Sequence, residues 1–554
     1  MKILGISAYC TNASACLAIN GKVLAAAREE RFTRIKGDAS FPSNAVDFCL
    51  NFCNLEVKDL DAIALHGKPF LRFERLLETH YAFAPRGLRS FIASMPMWIH
   101  EKVFLRSRIY KELKKLRNSD PAKIRLLFSE HHLSHAAGAF YTSPFEEAAI
   151  LVIDSLGEWA TTSIGHAHQS KIKIIKELRY PNSLGMLYNS FTAFLDIRNW
   201  DCRDKLSALA TRGIENAGET QYYKQLIKDN LLTIKKDGSI NLNQSYFRFT
   251  TGSELIDEQK WEALFKMPCR QEGQEFHQQH HNLALSIKLI IEEIVLNLCR
   301  EASRITGSEN LCLSGDVSLD RLVEKAANKS GLFKNIAVQH APSDDGAAIG
   351  AALAAQHLYF RQKRSSQTLN NGVFDSCLGP GYEEAEIVSA IDNGDFQYYY
   401  FSNENALLAE IADLLTQQKI IALFRGRMDF EMESIGNRSI IALAGYEETR
   451  KRFNMSVKGR DEHTPLKLVS PNDNCKNQFL RRILDRLNEN SDEHILWKSN
   501  MGAYGEPLIC RPEEALGFFK NADIDYLVMD GYLISKELNI IKRRESRMAD
   551  LYNN

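Results

Sequence analysis

The sequence contains no CxxC pair, and no uninterrupted apolar run approaches the about eighteen residues that a membrane-spanning helix needs. Its 11 cysteines, an odd number, are scattered from Cys10 to Cys510. This pattern argues against a disulfide framework and against a zinc module built on cysteines. The apolar stretch from Ile3 to Tyr9 is too short and too polar for a signal peptide. We therefore expect a cytoplasmic protein with no membrane partner.

The chain of 554 residues also lacks an excess of charge of either sign. Lys and Arg number 69 against 70 Asp and Glu, a formal net charge of -1, so we expect no nucleic-acid partner. Residues 86–117 are locally basic and interleaved with aromatic residues, a pattern that can bind membranes or nucleic acid. The favoured interpretation is a solvated helical face packed through its aromatic stripe.

The chain has two similar sets of strand patterns. Residues 3–9 and 15–19 are followed by Asn20-Gly21, a strong hairpin signal, and by a third strand over 22–27. A second set covers 149–154, 160–166 and 172–178. Two such units, each followed by helices, predict a duplicated ribonuclease-H-like α/β fold of the actin and sugar-kinase type, with its site in the cleft between the halves.

The rest of the chain predicts a long amphipathic helix and a second domain. The helix covers 282–305, and the small residues of 344–355 predict a closely packed helix after an acidic start. The polar, punctuated stretch 361–376 is typical of a linker. Beyond it the pattern predicts mixed α/β structure, with helices at 383–391, 404–417 and 512–521 and strands at 397–401, 419–424 and 525–529.

The segment Glu130-His131-His132-Leu133-Ser134-His135 carries the strongest chemical signal. In a helix, His131 and His135 lie on one face and can bind one metal ion, although the metalloprotease HExxH pattern is not met. Asp154 is predicted at the end of a strand and Asp344 at the start of a helix, so both can face the same crevice. Two imidazoles and two carboxylates suit Fe²⁺, Mn²⁺ or Zn²⁺ without distinguishing them.

Glycine-rich turns follow several predicted strands. They are Gly157-Glu158, Ser314-Gly315 and Gly346. Such turns can direct backbone N–H groups at a phosphate, but none matches a P-loop or GxGxxG, and each is also compatible with an ordinary turn.

Several ordered stretches resemble one known family. They are ILGISAY…NASACLAINGKVLAAAREERFTRIKGDASFP, EHHLSHAAGAFY, VIDSLGEWATTSIG, SLGMLYNSFTAFL, LCLSGDVSL and SDDGAAIGAAL. Together they are similar to the nodulation-protein-U and tobramycin carbamoyltransferase family, and the resemblance covers nearly the whole chain.

The resemblance implies two domains with separate chemistry. Residues 1–360 would form a duplicated domain, similar to the tRNA threonylcarbamoyl-transfer enzymes, that moves a carbamoyl group onto a substrate hydroxyl. Residues 377–554 would form a YrdC-like domain that makes carbamoyl adenylate from carbamoyl phosphate and ATP. The implied cofactors are ATP and a divalent metal, with Fe²⁺ preferred and Mn²⁺ or Zn²⁺ as alternatives. The implied partners are a small-molecule acceptor and carbamoyl phosphate or another anionic donor.

The resemblance also places the family's functional residues on this sequence. Its metal ligands fall on His131, His135, Asp154 and Asp344, and its nucleotide loop falls on Ser314, Gly315 and Val317. The lysine of the family's Gly-Lys-Val-Met-Gly-Leu-Ala stretch is kept as Lys205. Together with His131, His135 and Asp154 it makes up the implied catalytic set. The anion-binding residues kept in the C-terminal domain are Arg427, Arg438, Ser439, Lys458 and Arg460.

The sequence departs from the family's pattern at charged positions. Asp316 replaces the second glycine of a Gly-Gly-Val motif. In the C-terminal domain, Glu433 and Thr464 stand where the family places arginines, which should weaken binding of a phosphate there. The favoured hypothesis is an ATP-dependent carbamoyltransferase. The alternatives are an enzyme of the same fold with another adenylated donor or an ATP-dependent condensation, and a non-catalytic homologue.

Overall fold

A computed structural model describes residues 1–10, 12–98, 104–117, 124–197, 205–316, 321–339, 341–364, 376–394, 396–431, 434–457, 466–471, 477–489 and 494–536. The structure divides into two compact units. The first comprises Met1–Glu29 and Asp38–Phe374, and the second comprises Glu30–Gly37 and Asp375–Asn554. The second unit therefore takes a short early segment of the chain, with helix α1 (Glu30–Thr33), in addition to the C-terminal part.

The first sheet of the N-terminal unit has the strand order β3-β2-β1-β4-β5. Its strands are β1 (Lys2–Ser7), β2 (Ser14–Ile19), β3 (Lys22–Arg28), β4 (Ala62–His66) and β5 (Arg125–Ser129). Strands β1, β2 and β3 pair in antiparallel fashion, whereas β1, β4 and β5 are parallel. Asn20 and Gly21 adopt positive φ angles at the β2–β3 turn, as the predicted hairpin requires.

The second sheet repeats this plan with the order β12-β11-β6-β7-β8. Its strands are β6 (Glu147–Ile153), β7 (Ala160–His168), β8 (Lys171–Arg179), β11 (Asn310–Ser314) and β12 (Asn335–Val338). The first three pair in antiparallel fashion, and β6, β11 and β12 are parallel. Because the two sheets share order and direction, the predicted duplication of a ribonuclease-H-like α/β unit is confirmed. A small hairpin of β9 (Leu232–Ile234) and β10 (Ile240–Leu242) lies outside both sheets.

Helices of the N-terminal unit connect and cover these sheets. They are α2 (Ser43–Phe52), α3 (Pro69–Phe83), α4 (Leu88–Trp98), α5 (Leu105–Arg117), α6 (His131–Tyr141), α7 (Leu184–Phe194), α8 (Lys205–Ala210), α9 (Gly218–Asn230), α10 (Glu258–Phe265), α11 (Gln278–Thr306), α12 (Arg321–Lys329) and α13 (Ala347–Ala354). The basic stretch 86–117 contains α4 and α5. Ile109 and Leu113 of α5 are buried, whereas Phe104, an aromatic residue of the predicted stripe, is 59% exposed. Within the residues that the structure describes, no helix is long and apolar enough to cross a membrane.

Helices α6 and α13 cross at very short range because small residues line both. A Cβ on Gly350 of α13 would overlap the carbonyl oxygen of Ser134 in α6, and one on Gly5 of β1 would overlap that of Ala348. This close packing explains the run of Ala and Gly in residues 344–355 and fixes α6 relative to both sheets.

The second unit is built on one mixed sheet with the order β13-β19-β18-β14-β15-β17-β16. Its strands are β13 (Gln397–Tyr400), β14 (Ile421–Phe424), β15 (Arg438–Leu443), β16 (Lys467–Val469), β17 (Leu496–Asn500), β18 (Tyr526–Met529) and β19 (Tyr532–Ser535), and its later helices are α14 (Glu384–Asn393), α15 (Glu404–Thr416), α16 (Glu447–Met455), α17 (Gln478–Leu487) and α18 (Pro512–Asn521). The predicted mixed α/β character is confirmed, and the elements predicted from the sequence lie within three residues of the observed bounds.

Candidate active site and metal centre

Helix α6 presents its histidines at the N-terminal end of the helix. The Glu158 carboxylate accepts the backbone N–H of His131 at 2.9 Å and that of Lys68 at 2.7 Å. This contact satisfies N–H groups that the first turn of a helix leaves unpaired. His131 and His135, four residues apart, then lie on one face with their Nε2 atoms 3.2 Å apart.

Two carboxylates meet these imidazoles from the second half of the unit. Asp154 follows β6, and its Oδ2 lies 2.6 Å from Nε2 of His131 and 3.5 Å from Nε2 of His135. Asp344 lies just before α13, with Oδ1 3.5 Å and 3.9 Å from the same two atoms. The structure therefore brings together the four residues predicted as metal ligands.

His66 joins this cluster, and the sequence analysis missed it. It is the last residue of β4, and its Nε2 lies 2.9 Å from Nδ1 of His131 and 3.6 Å from Oδ1 of Asp344. Ligand atoms of His66, His131, His135 and Asp344 all lie within 4.8 Å of one another. The sequence did contain one indication of this role. His66 lies at the C-terminal end of a predicted strand, where α/β folds place ligand-binding side chains.

The electrostatics of the cluster lower the pKa of His66, His135 and Asp154, whereas at His131 burial is outweighed by Asp344 and Asp154, which raise the pKa of that ring. Burial lowers the pKa of His135 to about 3, with the charge of His131 acting in the same direction. Burial and His131 also place the pKa of His66 well below its ordinary value. Burial opposes ionisation of Asp154, but the hydrogen bond with His131 and the charges of the neighbouring histidines together outweigh it and place the pKa of that carboxyl well below its usual range.

These residues fit a divalent first-row metal ion. Neutral imidazole and carboxylate are the ligand forms such ions bind, and the histidines other than His131 have lowered pKa values. Metal–ligand bonds of about 2.1 Å place neighbouring ligand atoms about 3.0–3.4 Å apart. Three separations are close to that range: 3.2 Å between the two Nε2 atoms, 3.5 Å from His131 to Asp344 and 3.5 Å from His135 to Asp154. The 2.6 Å between His131 and Asp154 is a hydrogen-bond distance, and the 3.9 Å between His135 and Asp344 is longer.

Asp316 adds a further carboxyl group at the same place. It hydrogen-bonds the side chain of Asp154, and burial together with Asp154 and Asp344 holds its pKa well above the usual value. Since the family's pattern has glycine at this position, the extra acid is a property of this chain that the sequence analysis noted only as a departure.

The turns predicted to bind a nucleotide border the cluster. The N–H groups of their glycines donate hydrogen bonds to acceptors within the protein. The N–H of Gly157 donates to the carbonyl of Ala160 at 2.9 Å, and that of Gly315 to the carbonyl of Pro342 at 2.9 Å. The N–H of Gly346 donates to Ser343 and to the Asp345 carboxylate.

The other two residues predicted at these turns also contact the protein. Ser314 contacts Gln339 and, at 3.2 Å, Nδ1 of His135. Glu158 caps α6, as described above. Glu158 and Ser314 therefore contact His131 and His135, and nucleotide binding by the five residues at these turns stays a prediction.

Residues predicted for the second unit are partly described. Arg438 is buried and donates to the carbonyls of Arg425, Gly426 and Asn437, and its guanidinium lies 3.7 Å from the ring centroid of Phe424.

Two further predicted residues of this unit are also engaged. Arg427 donates to the carbonyls of Leu378 and Gly379, and Ser439 contacts the Ser434 hydroxyl at 3.1 Å. Lys458, Arg460, Glu433, Thr464 and Val317 lie outside the described residues, as does the side chain of Lys205.

Comparisons with known proteins agree with this architecture. The family described as "Carbamoyltransferase N-terminus" matches residues 2–353, and "Carbamoyltransferase C-terminus" matches residues 412–479. The chain is 34% identical to uncharacterized protein sll1178 of Synechocystis sp. strain PCC 6803, over 96% of each chain. It is 25% identical to nodulation protein NolNO of Sinorhizobium fredii, over 94% of this chain and 78% of that one.

A solved structure of T. kodakarensis HypF gives a TM-score of 0.34 at 14% identity and covers 66% of this chain and 49% of that one. The family assignment rests on the sequence matches, which cover both parts of the chain. The chain belongs to the carbamoyltransferase family, and it is an enzyme of that family.

Proposed function

We propose that the protein transfers a carbamoyl group from carbamoyl phosphate, through carbamoyl adenylate made with ATP, to a hydroxyl group of a small metabolite or natural product. The single observation that carries this proposal is the buried cluster of His66, His131, His135, Asp154 and Asp344, which joins the two halves of a carbamoyltransferase-family domain. Supporting it, the duplicated sheet topology places the cluster at the carboxyl ends of β4 and β6, where α/β folds bind ligands.

The transfer step forms one bond and breaks one. The acceptor hydroxyl oxygen bonds to the carbamoyl carbon, the bond from that carbon to the adenylate phosphate oxygen breaks, AMP leaves, and the hydroxyl proton is released. A divalent metal held by His131, His135, Asp154 and Asp344 would supply Lewis-acid polarisation of the carbamoyl or phosphoryl oxygens. Fe²⁺ is the proposed ion, with Mn²⁺ and Zn²⁺ as the alternatives to compare.

The protein's own residues orient this chemistry. Nδ1 of His131 contacts Nε2 of His66, and Nδ1 of His135 contacts the Ser314 hydroxyl, so each ring is held with its Nε2 facing the carboxylates. Because the cluster is buried, its charges act with little screening by water on whatever substrate enters. Lys205 is proposed to contribute a cation to the same step.

The proposal is tested by separating activation from transfer. The full chain is incubated with ATP, labelled carbamoyl phosphate and a pool of small hydroxylated metabolites, and carbamoylated products are detected by mass spectrometry. We expect labelled products from the wild type and none from Asp154→Asn, while carbamoyl-phosphate-dependent ATP–pyrophosphate exchange persists in both. Equal product formation by Asp154→Asn would contradict the assignment of the cluster.

The charged residues of the second unit favour one alternative, in which the enzyme uses a donor other than carbamoyl phosphate. As described above, the Arg438 guanidinium is buried and donates to backbone carbonyls, which leaves it fewer N–H groups to offer a phosphate. In addition, Glu433 and Thr464 replace two arginines of the family's pattern, a local change of three charge units. On this alternative, carbamoyl phosphate binds the wild type poorly and Glu433→Arg improves its binding. Tight, ATP-coupled binding by the wild type, unimproved by the arginine, would contradict the alternative.

A further inference from the structure

Helix α3 brings two arginines to the metal cluster although it contributes little to the core. No residue of Pro69–Phe83, all of which the structure describes, is buried. Arg72 and Arg75 are three residues apart, so they lie on one face of the helix, and both reach the site.

Arg72 lies directly on the histidine cluster. Its Nη2 is 3.1 Å from Nδ1 of His131, and a Cβ on Gly67 would come within 2.6 Å of the same Nη2. Gly67 also has a φ of +87°, so its backbone conformation favours glycine, and a Cβ there would displace the Arg72 guanidinium.

The guanidinium of Arg75 lies against the loop that follows β6. Its Nη1 donates to the carbonyl oxygens of Gly157 and Glu158, the latter at 2.9 Å, and its guanidinium lies 5.5 Å from the ring centroid of Tyr180. Burial, reinforced by the charge of Arg72, lowers the pKa of Arg75 to about 10. Arg72 at His131 and Arg75 at the Gly157 and Glu158 carbonyls therefore both border the site, and a phosphate anion beside them would be stabilised by both charges.

The present contact of Arg72 is not compatible with a metal on His131. An imidazole that binds a metal through Nε2 carries its remaining proton on Nδ1. That proton can be donated to Nε2 of His66, but Nη2 of Arg72 is itself a donor and guanidinium has no acceptor. Loading the metal therefore makes the Arg72–His131 contact unfavourable and leaves the guanidinium to seek an acceptor.

A phosphoryl group needs donors that the turn glycines do not supply. The N–H groups of Gly157, Gly315 and Gly346 already donate to protein acceptors. Arginine offers a planar fork of donors that matches the oxygens of a phosphate, and it stays charged when partly buried.

We propose that Arg72 and Arg75 form the subsite for the phosphoryl group of the activated donor, and that metal binding at His131 releases Arg72 to serve it. This inference rests on the proposed function, because it takes the adenylate as the donor. The shared chemistry is a phosphate ester anion or free phosphate next to the metal, and the test distinguishes the two.

The test measures binding of AMP and of adenosine to the full chain loaded with Mn²⁺, by calorimetry. The ratio of the affinity for AMP to that for adenosine measures the contribution of the phosphate group to binding. We expect Arg72→Ala and Arg75→Ala each to lower the affinity for AMP about tenfold or more while leaving that for adenosine unchanged. Arg72→Lys should restore part of the loss, and Arg89→Ala, an exposed cation of α4, is the matched control and should change neither. Inorganic phosphate that binds equally well without adenosine would identify free phosphate as the ligand of the same arginines.

The metal dependence is tested by repeating the titrations after chelation. The loss caused by Arg72→Ala should be large with Mn²⁺ and small without it, whereas the loss caused by Arg75→Ala should persist. Mn²⁺ content is measured for every variant. If Arg72→Ala loses metal, Arg75→Ala still tests the subsite, because the Arg75 side chain contacts the Gly157 and Glu158 carbonyls and Tyr180. Unchanged ratios of AMP to adenosine affinity in both alanine variants would overturn the subsite and leave the proposed function intact. Absence of AMP binding by the wild type would overturn the subsite and count against the adenylate donor as well.

Discussion

Nδ1 of His131 lies 2.9 Å from Nε2 of His66, and Nδ1 of His66 lies 3.3 Å from the hydroxyl of Ser7. This chain of contacts runs from β1 through β4 to the start of α6. It fixes the ring of His131 so that its Nε2 faces His135, Asp154 and Asp344. A ligand whose second nitrogen is held in this way is the usual arrangement at metal sites, and loss of such a partner costs about 10–100-fold in metal affinity.

Replacing His66 with alanine is therefore expected to weaken metal binding without unfolding the protein. We expect a loss of about 10–100-fold in Mn²⁺ or Zn²⁺ affinity, measured by competition with a chelating dye. His166→Ala is the control, because His166 also pairs with a carboxylate, Glu147 at 2.8 Å, but lies at the opposite end of the β6–β7 pair from Asp154. Equal affinities for the wild type and His66→Ala would show that His66 does not support the site.

Removing a proposed metal ligand should have a stronger effect. His131→Ala and His135→Ala are expected to abolish metal retention and transfer while the secondary structure persists. Metal content is measured by elemental analysis after purification without chelators, and circular dichroism reports the fold. Wild-type protein that carries no metal under these conditions, and binds none when metal is added, would contradict the metal centre.

The crossing of α6 and α13 predicts a steric effect at Gly350. Gly350→Ala should lower the free energy of unfolding of the N-terminal unit by about 1–3 kcal/mol, because the new methyl group must displace the backbone at Ser134. Since α6 carries His131 and His135, metal affinity should fall with it. Gly517→Ala is the matched control, a helical glycine with nothing within 4 Å of the added Cβ, and it should be neutral or stabilising by up to about 1 kcal/mol. The Tm of each variant is measured by calorimetry. If Gly350→Ala melts at the same temperature as the wild type, α6 and α13 can move apart at little cost in free energy.

His280 predicts a pH dependence of stability away from the metal cluster. Its Nδ1 accepts the N–H of His277 at the start of α11, and burial, with the charges of His277 and Arg270, lowers its pKa to about 4. The unfolded chain takes up a proton near pH 6.5 and the folded chain only near pH 4. The stability that this neutral group contributes is therefore complete above pH 6.5 and is lost as the pH falls towards 4, by up to about 3 kcal/mol.

His280→Gln tests this linkage, because a glutamine can accept the same N–H in a capping box but does not titrate. We expect the variant to gain stability relative to the wild type between pH 7 and pH 4.5, measured as the difference in Tm. A difference in Tm that stays constant over this range would contradict the prediction.

Local pattern was enough to predict the duplicated fold and much of the site. Asn20-Gly21 marked the hairpin, the apolar runs marked strands of both sheets, and His131 with His135 marked a helical face. Asp154 and Asp344 followed from their places at the ends of elements. These features depend on residues close in sequence, where periodicity and turn chemistry are informative.

Features that depend on long-range contacts were not predictable in the same way. His66 meets His131 from 65 residues away, and only the strand order places β4 beside β5 and α6. The assignment of Glu30–Gly37 to the second unit depends on contacts such as Arg31 with the carbonyl of Glu431, separated by 400 residues. Likewise, the motif predicts Arg438 as a phosphate ligand but did not indicate that its guanidinium lies over the ring of Phe424 and donates to the carbonyl of Arg425.

The central claim is that this enzyme activates carbamoyl phosphate with ATP and transfers the carbamoyl group at the histidine–aspartate cluster. The most direct measurement is incorporation of labelled pyrophosphate into ATP by the metal-loaded full chain, with and without carbamoyl phosphate. The account predicts exchange that requires carbamoyl phosphate and survives in Asp154→Asn, because activation and transfer use separate sites. No exchange above background in the wild type, with ATP bound and metal present, would contradict the proposed donor chemistry.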